Sequence, residues 1–140
     1  MNFTYRCKHE KICNVTIKRP IVPIKLYGKD GLSLNFNAIL DSGSDFVLLP
    51  LEVAEELGLE YDQNNCAPAS TYEGSTFTTT KSAVYVTIQK GREQSIKFSV
   101  KCMINLSHEK DYGDIILGST FFENFKINFD YSNNKFQIKK

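Results

Sequence analysis

Ala38-Ile39-Leu40-Asp41-Ser42-Gly43-Ser44-Asp45-Phe46-Val47-Leu48-Leu49 is the stretch on which the reading of this chain turns. An apolar run ends in a carboxylate, three small residues follow, a second carboxylate closes the group, and an apolar run resumes. Just upstream, Leu32, Leu34, Phe36 and Ala38 alternate with Ser33, Asn35 and Asn37. That is the period-two pattern of a half-buried strand. The sequence therefore drives one strand into a tight turn at Asp41 and leaves it as another over Asp45 to Leu49. A carboxylate is costly to bury unless it is hydrogen-bonded, paired or protonated. Ser42, Gly43 and Ser44 allow close backbone approach and supply N–H and O–H donors. Asp, Ser and Gly are equally the residues of an ordinary β-turn, so these five positions alone support a plain turn as well as a site.

A second element shifts the balance. Asp114-Ile115-Ile116-Leu117-Gly118 is a short apolar strand ending in glycine, and Ser119-Thr120-Phe121-Phe122 follows as a short helix. Together the two elements resemble the retropepsin-like aspartic proteases. The family's apolar-apolar-Asp-Ser/Thr-Gly-Ala/Ser motif is matched by Ile39-Leu40-Asp41-Ser42-Gly43-Ser44, and its later apolar-apolar-Gly by Ile116-Leu117-Gly118. Asp41 and Ile116 are 75 positions apart, with a hairpin-like segment between them, and the resemblance runs from about Val22 to Ile138. It implies an all-β, closed acid-protease barrel with a flap hairpin and one or two short helices.

Aspartic proteolysis requires two carboxylates that share one proton around a water, since like charges ~3 Å apart cannot both ionise. This chain holds one Asp-Ser/Thr-Gly; Asp30-Gly31, Asp111-Tyr112-Gly113 and Asp130-Tyr131-Ser132 do not repeat it. A second carboxylate must then come from a second copy of the chain, and a two-fold axis sets identical residues face to face. The resemblance thus implies a homodimer acting on a peptide or protein substrate without cofactor or metal. Asp41 is the implied catalytic residue. Ser42, Gly43, Ser44 and Asp45 support it, and Ile116, Leu117 and Gly118 stand near the site. Ser42 is implied to bond across the interface, and apolar terminal strands carrying Phe136 and Ile138 are implied to join it. The flap falls on Tyr72, Glu73, Gly74 and Ser75. Val47, Leu49, Ile116 and Phe77 are candidates to line substrate pockets, with Asp41, Asp45 and Glu73 the charges near the cleft.

Two departures mark this chain within that family. Compact viral members often pair an Asp four after the catalytic one with an arginine just past the late glycine. Asp45 is present but Ser119 takes the arginine's place, so Asp45 is expected to bond Ser119 or backbone. A helix also follows the second strand: Leu51, Ala54 and Leu57 share one face, Glu52, Glu55 and Glu56 the other, and Pro50 and Gly58 bracket it. That helix is absent from compact viral enzymes and points to the non-viral, cellular branch.

The remaining sequence bounds other functions. At 140 residues the length suits one domain, here residues 20–140, preceded by residues 1–19 as an N-terminal extension of unassigned role. A net charge of +1 offers no field for nucleic acid or an anionic membrane. No apolar run approaches the ~20 residues of a membrane span, and no signal-peptide core precedes Arg19, so a cytoplasmic location is expected. Cys7, Cys13, Cys66 and Cys102 are scattered and read as free thiols. Cys7, His9 and Cys13 could offer zinc ligands, but His108 is too distant to complete a set, and a solvated tail is the expectation. No P-loop, G-x-G-x-x-G or H-E-x-x-H occurs. The pattern over the rest predicts strands at 22–27, 84–88, 96–104, 127–129 and 136–138, with 61–69 a loop; about eight strands suit a barrel. Within 96–104, Ile96, Phe98, Val100, Cys102 and Ile104 alternate, which sets Cys102 in the core. Two rival readings keep the residues but change the function. One is a dimeric binding or scaffold module of the same fold with little or no proteolysis; the other is an unrelated β-barrel in which Asp41 to Asp45 is only a turn.

Overall fold

Alternating sequence becomes strand along almost the whole chain. The computed structural model describes residues 1–70, 74, 76–107 and 114–140. Among these it forms β1 (Asn2–Arg6), β2 (Lys8–Ile12), β3 (Val15–Arg19), β4 (Ile21–Tyr27), β5 (Ser33–Leu40), β6 (Val47–Pro50), α1 (Leu51–Leu57) and β7 (Cys66–Ser70). The chain continues through β8 (Thr76–Lys90), β9 (Glu93–Gln94), β10 (Phe98–Asn105), β11 (Ile115–Leu117), α2 (Ser119–Phe122), β12 (Lys126–Asp130) and β13 (Lys135–Lys139). The all-β expectation with two short helices holds.

Six strands pair in a ring. β4 runs antiparallel to β5, β5 parallel to β11, β11 antiparallel to β6, and β6 parallel to β10. β10 is antiparallel to β8, and β8 returns antiparallel to β4. The closure is partial along some strands: β5 meets β11 only through Ala38 to Leu40, and β11 meets β6 only at Ile116↔Leu48. The alternation then decides which side chains are shielded: Val22, Ile24 and Leu26 of β4, Val47 and Leu49 of β6, and Val84, Val86 and Ile88 of β8 are all buried in one cluster. Each such aliphatic side chain contributes about 1.5–3 kcal/mol when fully removed from water.

Local chemistry ends α1 as the sequence predicts. Pro50 occupies the N-cap with φ −61° and Gly58 the C-cap with φ +66°, where its N–H reaches the Ala54 and Glu55 carbonyls. Pro50 thus stands one place before the expected first turn. Leu51, Ala54 and Leu57 are buried while Glu52, Glu55 and Glu56 are exposed.

The N-terminal residues correct the solvated-tail reading. β1 pairs with β13 from Asn2↔Lys139 to Arg6↔Lys135, and β12 covers the other edge of β13. Phe3, Tyr5 and Cys7 enter the core. Tyr5 stacks on Phe136 with ring centroids 5.2 Å apart and donates its hydroxyl to the Gln89 carbonyl at 2.7 Å. Burial raises the Cys7 thiol above its ordinary pKa. The signal was present, because Phe3, Tyr5 and Cys7 alternate with Asn2, Thr4 and Arg6. Beyond Cys7, β2 and β3 form an exposed hairpin, on which His9 Nε2 meets Asn134 Oδ1 at 2.7 Å.

Two further expectations change. Cys66 to Ala69, read within a loop, belong with Ser70 to β7, held by pairing to β8. Ile96 is exposed rather than in line with Phe98, because Ser95 closes a turn there: its N–H donates to the Ile88 carbonyl and its Oγ accepts the Ile88 N–H. Within the single chain Phe136 and Ile138 are fully buried core residues of β13, a strand paired on both sides. Cys102 does lie in the core as read, and desolvation pushes its thiol up to about 12, which leaves it inert as a nucleophile.

Candidate active site

The turn after β5 is held at both ends by backbone. The Asp41 N–H donates to the Leu117 carbonyl at 3.0 Å, continuing the β5–β11 pairing by one residue. The Asp41 carbonyl accepts the Ser44 N–H at 3.1 Å, which is the closing bond of a β-turn. Inside the turn, the Gly43 N–H donates to Asp41 Oδ1 at 2.9 Å. The plain-turn features are therefore real, and they serve to fix the carboxylate. Asp41, Ser42 and Gly43 are exposed. Gly43 has a steric reason as well: a Cβ there would lie 3.3 Å from Asp41 Oδ1.

The second motif locks the far side of the turn. Gly118 sits against the backbone of the first motif, and a Cβ on it would lie 2.4 Å from both the Ser44 and the Phe46 carbonyl oxygens. Only glycine fits. One residue on, the Ser119 N–H donates to the Ser44 carbonyl at 2.8 Å. The expected bond of Asp45 to Ser119 or to backbone is not formed among the described residues: the Asp45 carboxylate stays exposed to solvent, and it is the Ser119 backbone that ties to the turn, at Ser44. Ile116 pairs with Ile39 and Leu48, so β11 is wedged between the strands that enter and leave the turn.

Thr120 is a residue the sequence did not single out. Its Oγ1 accepts the Val47 N–H at 3.1 Å and donates to the Lys101 carbonyl at 2.9 Å, tying α2 to β6 and β10. Thr120→Val keeps the shape but leaves a part-buried Val47 N–H unpaired. Chemical denaturation should show a loss of about 1–3 kcal/mol. A change below about 0.5 kcal/mol, the ordinary range of neutral surface substitutions, would show that the bridge does not support β6.

A groove of about 460 Å³ opens beside the turn. Gly43, Ser44, Asp45, Phe46 and Leu48 form one wall. The opposite wall is the β7–β8 hairpin, including Ala67, Ala69, Phe77 and Lys81. Strand parity corrects two pocket assignments: Val47 and Leu49 point into the core, and Leu48 between them faces the groove. Phe77 lines the groove as expected; Ile116 is half-buried and does not. Lys81 was not foreseen there.

The two arms of the flap-like hairpin are in place, with register running from Cys66↔Thr80 to Ser70↔Thr76. Gly74 has φ +87°, a conformation that favours glycine. Tyr72, Glu73 and Ser75 lie outside the described residues. Among the described residues no helix is long and apolar enough to cross a membrane.

Comparison with known proteins agrees with this geometry. A family model described as aspartyl protease matches residues 22–121. Among solved structures, a retropepsin-like aspartic protease from Rickettsia conorii superposes with a TM-score of 0.56 at 15% identity, over 98% of each chain. At that identity the likeness is one of fold. The EIAV protease, solved with the inhibitor HBY-793, matches 76% of this chain and 88% of its own at 20% identity, with a TM-score of 0.45. No curated protein matches the sequence.

Proposed function

Because the chain belongs to the aspartyl protease family and carries the retropepsin-like fold, we propose that it is an endopeptidase that works as a homodimer, with Asp41 of each protomer forming the catalytic pair. The observation that carries this reading is the fixed, exposed Asp41 carboxylate. Backbone bonds hold its turn at both ends, the Gly43 N–H holds one of its oxygens, and a peptide-sized groove lies alongside.

The chemistry follows from the pairing. One Asp41 carboxylate takes a proton from water as the water attacks the scissile carbonyl carbon. The other, protonated, gives its proton to the carbonyl oxygen. The tetrahedral intermediate then collapses as the amide nitrogen is protonated and the C–N bond breaks. Ser42 is next to Asp41 and exposed, and in this reading it would bond across the two-fold axis and keep the carboxylates coplanar. Asp41 and Ser42 of two copies must meet for this, so the proposed interface includes the exposed turn face. Backbone bonds and the apolar walls at Leu48 and Phe77 would hold an extended peptide in the groove.

Dimerisation makes a quantitative prediction. A site split between protomers is assembled by mass action, so specific activity on an apolar peptide should rise with protein concentration and then level off. Analytical ultracentrifugation at the same concentrations should show dimer appearing in step. Full specific activity from protein that sediments only as monomer would sink the paired-Asp41 mechanism.

A further inference from the structure

Successive residues of a strand face opposite sides, so Phe77, Thr79 and Lys81 of β8 share a face, and all three line the groove beside the Asp41 turn. Next to that groove lies a second cavity of about 440 Å³, lined by Phe46, Lys81, Ser82, Lys101, Cys102 and Met103. Phe46, Lys81 and Met103 line both, so the two are neighbours. Their charges differ. Asp45 belongs to the first cavity alone, whereas the second has two lysines and no carboxylate in its lining. Among the described residues the ion pair formed is Arg19–Glu10, so neither Lys81 nor Lys101 makes a direct ion pair with a described carboxylate; Asp45 shares the first cavity with Lys81, and the Thr80 and Ser82 hydroxyls on either side of that lysine donate to the Asp62 and Glu60 carbonyls.

We propose that this outer cavity is a subsite for an acidic side chain of the bound peptide, with Lys81 as the residue that reads it and Lys101 reinforcing the field. The inference rests on the peptidase reading above and names a class of substrate for it. The inner groove, walled by Leu48, Phe77 and Met103, takes an apolar side chain. An extended peptide returns a side chain to the same face every second residue, about 6.6 Å further on. In this proposal a glutamate or aspartate two positions from the apolar anchor sits at the neighbouring cavity, where Lys81 stands. Phe46 and Met103 offer apolar surface for the lysine stem, and its ammonium, exposed to solvent, meets the carboxylate. A lysine or arginine at that position would be repelled.

The test separates binding from cleavage. The Asp41→Asn protein, which keeps the turn's shape, is titrated with fluorescein-labelled peptides that share one apolar core. They differ only in Glu, Gln or Lys two residues to either side of it, and wild type is assayed for cleavage of the same set. Exposed ion pairs contribute about 0.2–1 kcal/mol, which corresponds to a Glu peptide binding up to about fivefold tighter than its Gln partner. The preference should fade as added salt shortens the screening length. Lys81→Gln in the Asp41→Asn background should erase the Glu/Gln ratio, Lys81→Glu should invert it toward the Lys peptide, and Lys90→Gln, at a different face, should leave it alone. Equal binding of Glu and Gln peptides, or a ratio that Lys81→Glu does not move, overturns the subsite. A charge preference in binding without any cleavage by wild type upholds the subsite and sinks the peptidase reading. Cleavage without a charge preference does the reverse, and no binding of any peptide overturns both.

Discussion

Asp41→Asn should lower kcat/KM for an apolar peptide by about 10³-fold or more, because it removes both the general base and the general acid from the assembled site. The substitution is close to a pure test of chemistry. Asparagine has nearly the same shape, and its Oδ1 can still accept the 2.9 Å bond from the Gly43 N–H. The side chain is exposed, so nothing in the core has to adjust. Unfolding free energy should therefore change by no more than about 0.5 kcal/mol. The check is a cleavage assay across mildly acidic to neutral pH, run beside a denaturant titration of the same two proteins. Retained cleavage in a folded Asp41→Asn protein would remove Asp41 from the mechanism. Lost cleavage accompanied by unfolding would mean that the carboxylate, not the shape, was needed to hold the turn.

Gly118→Ala should be the most damaging single methyl addition at the site. The new Cβ would stand 2.4 Å from two backbone oxygens, those of Ser44 and Phe46, and 2.9 Å from the Ser44 carbonyl carbon. No flexible side chain can yield there. The Ser44 oxygen is held by the Ser119 N–H, and the residue after Phe46 by Thr120 Oγ1. Relief requires moving the Asp41 turn or prying α2 from it. Overpacking of this kind costs about 1–3 kcal/mol and occasionally more; with rigid backbone on both sides the upper end is expected. Activity should fall further than stability, because a displacement of about 1 Å in a catalytic group costs about 10²-fold. Urea titration with a parallel cleavage assay reads both. Gly91→Ala is the comparison: it carries left-handed strain at φ +60° but meets no atom within 4 Å, so it should lose stability without a matching loss of activity per folded molecule. A Gly118→Ala protein as stable and active as wild type would show that the two motifs do not pack as described.

Lys81 alters an earlier expectation about charge. From the sequence, only Asp41, Asp45 and Glu73 stood near the cleft. Nothing in the order Thr79-Thr80-Lys81-Ser82 separates a solvated surface lysine from one at a groove. The distinction depends on what faces β8 across the space, and that is the Asp41 turn, almost forty positions earlier in the chain.

Local order was enough wherever the physics is local. Alternation over Ser33 to Leu40 predicted β5, because a strand shielded on one side must place its apolar residues two apart. Pro50 and Gly58 marked the ends of α1, because one lacks an N–H to satisfy and the other tolerates the left-handed cap. The motif around Asp41 and the one ending at Gly118 together pointed to the family, and they made Asp41 the residue proposed to carry catalysis. Alternation by itself does not say which strand lies beside which, or on which side the shielding comes. Tertiary structure decided that β11 would wedge between β5 and β6, so that Gly118 must be glycine to clear carbonyls more than seventy positions away. It decided that Leu48, not Val47 or Leu49, would face the groove, and that Thr120 would bridge two strands by one hydroxyl. It also placed β1 on β13, which turned an apparent tail into core and left β13 paired on both sides. In each case the deciding contact joins groups far apart in the chain, and a hydrogen bond or steric limit made across that distance leaves no period in the sequence from which to read it.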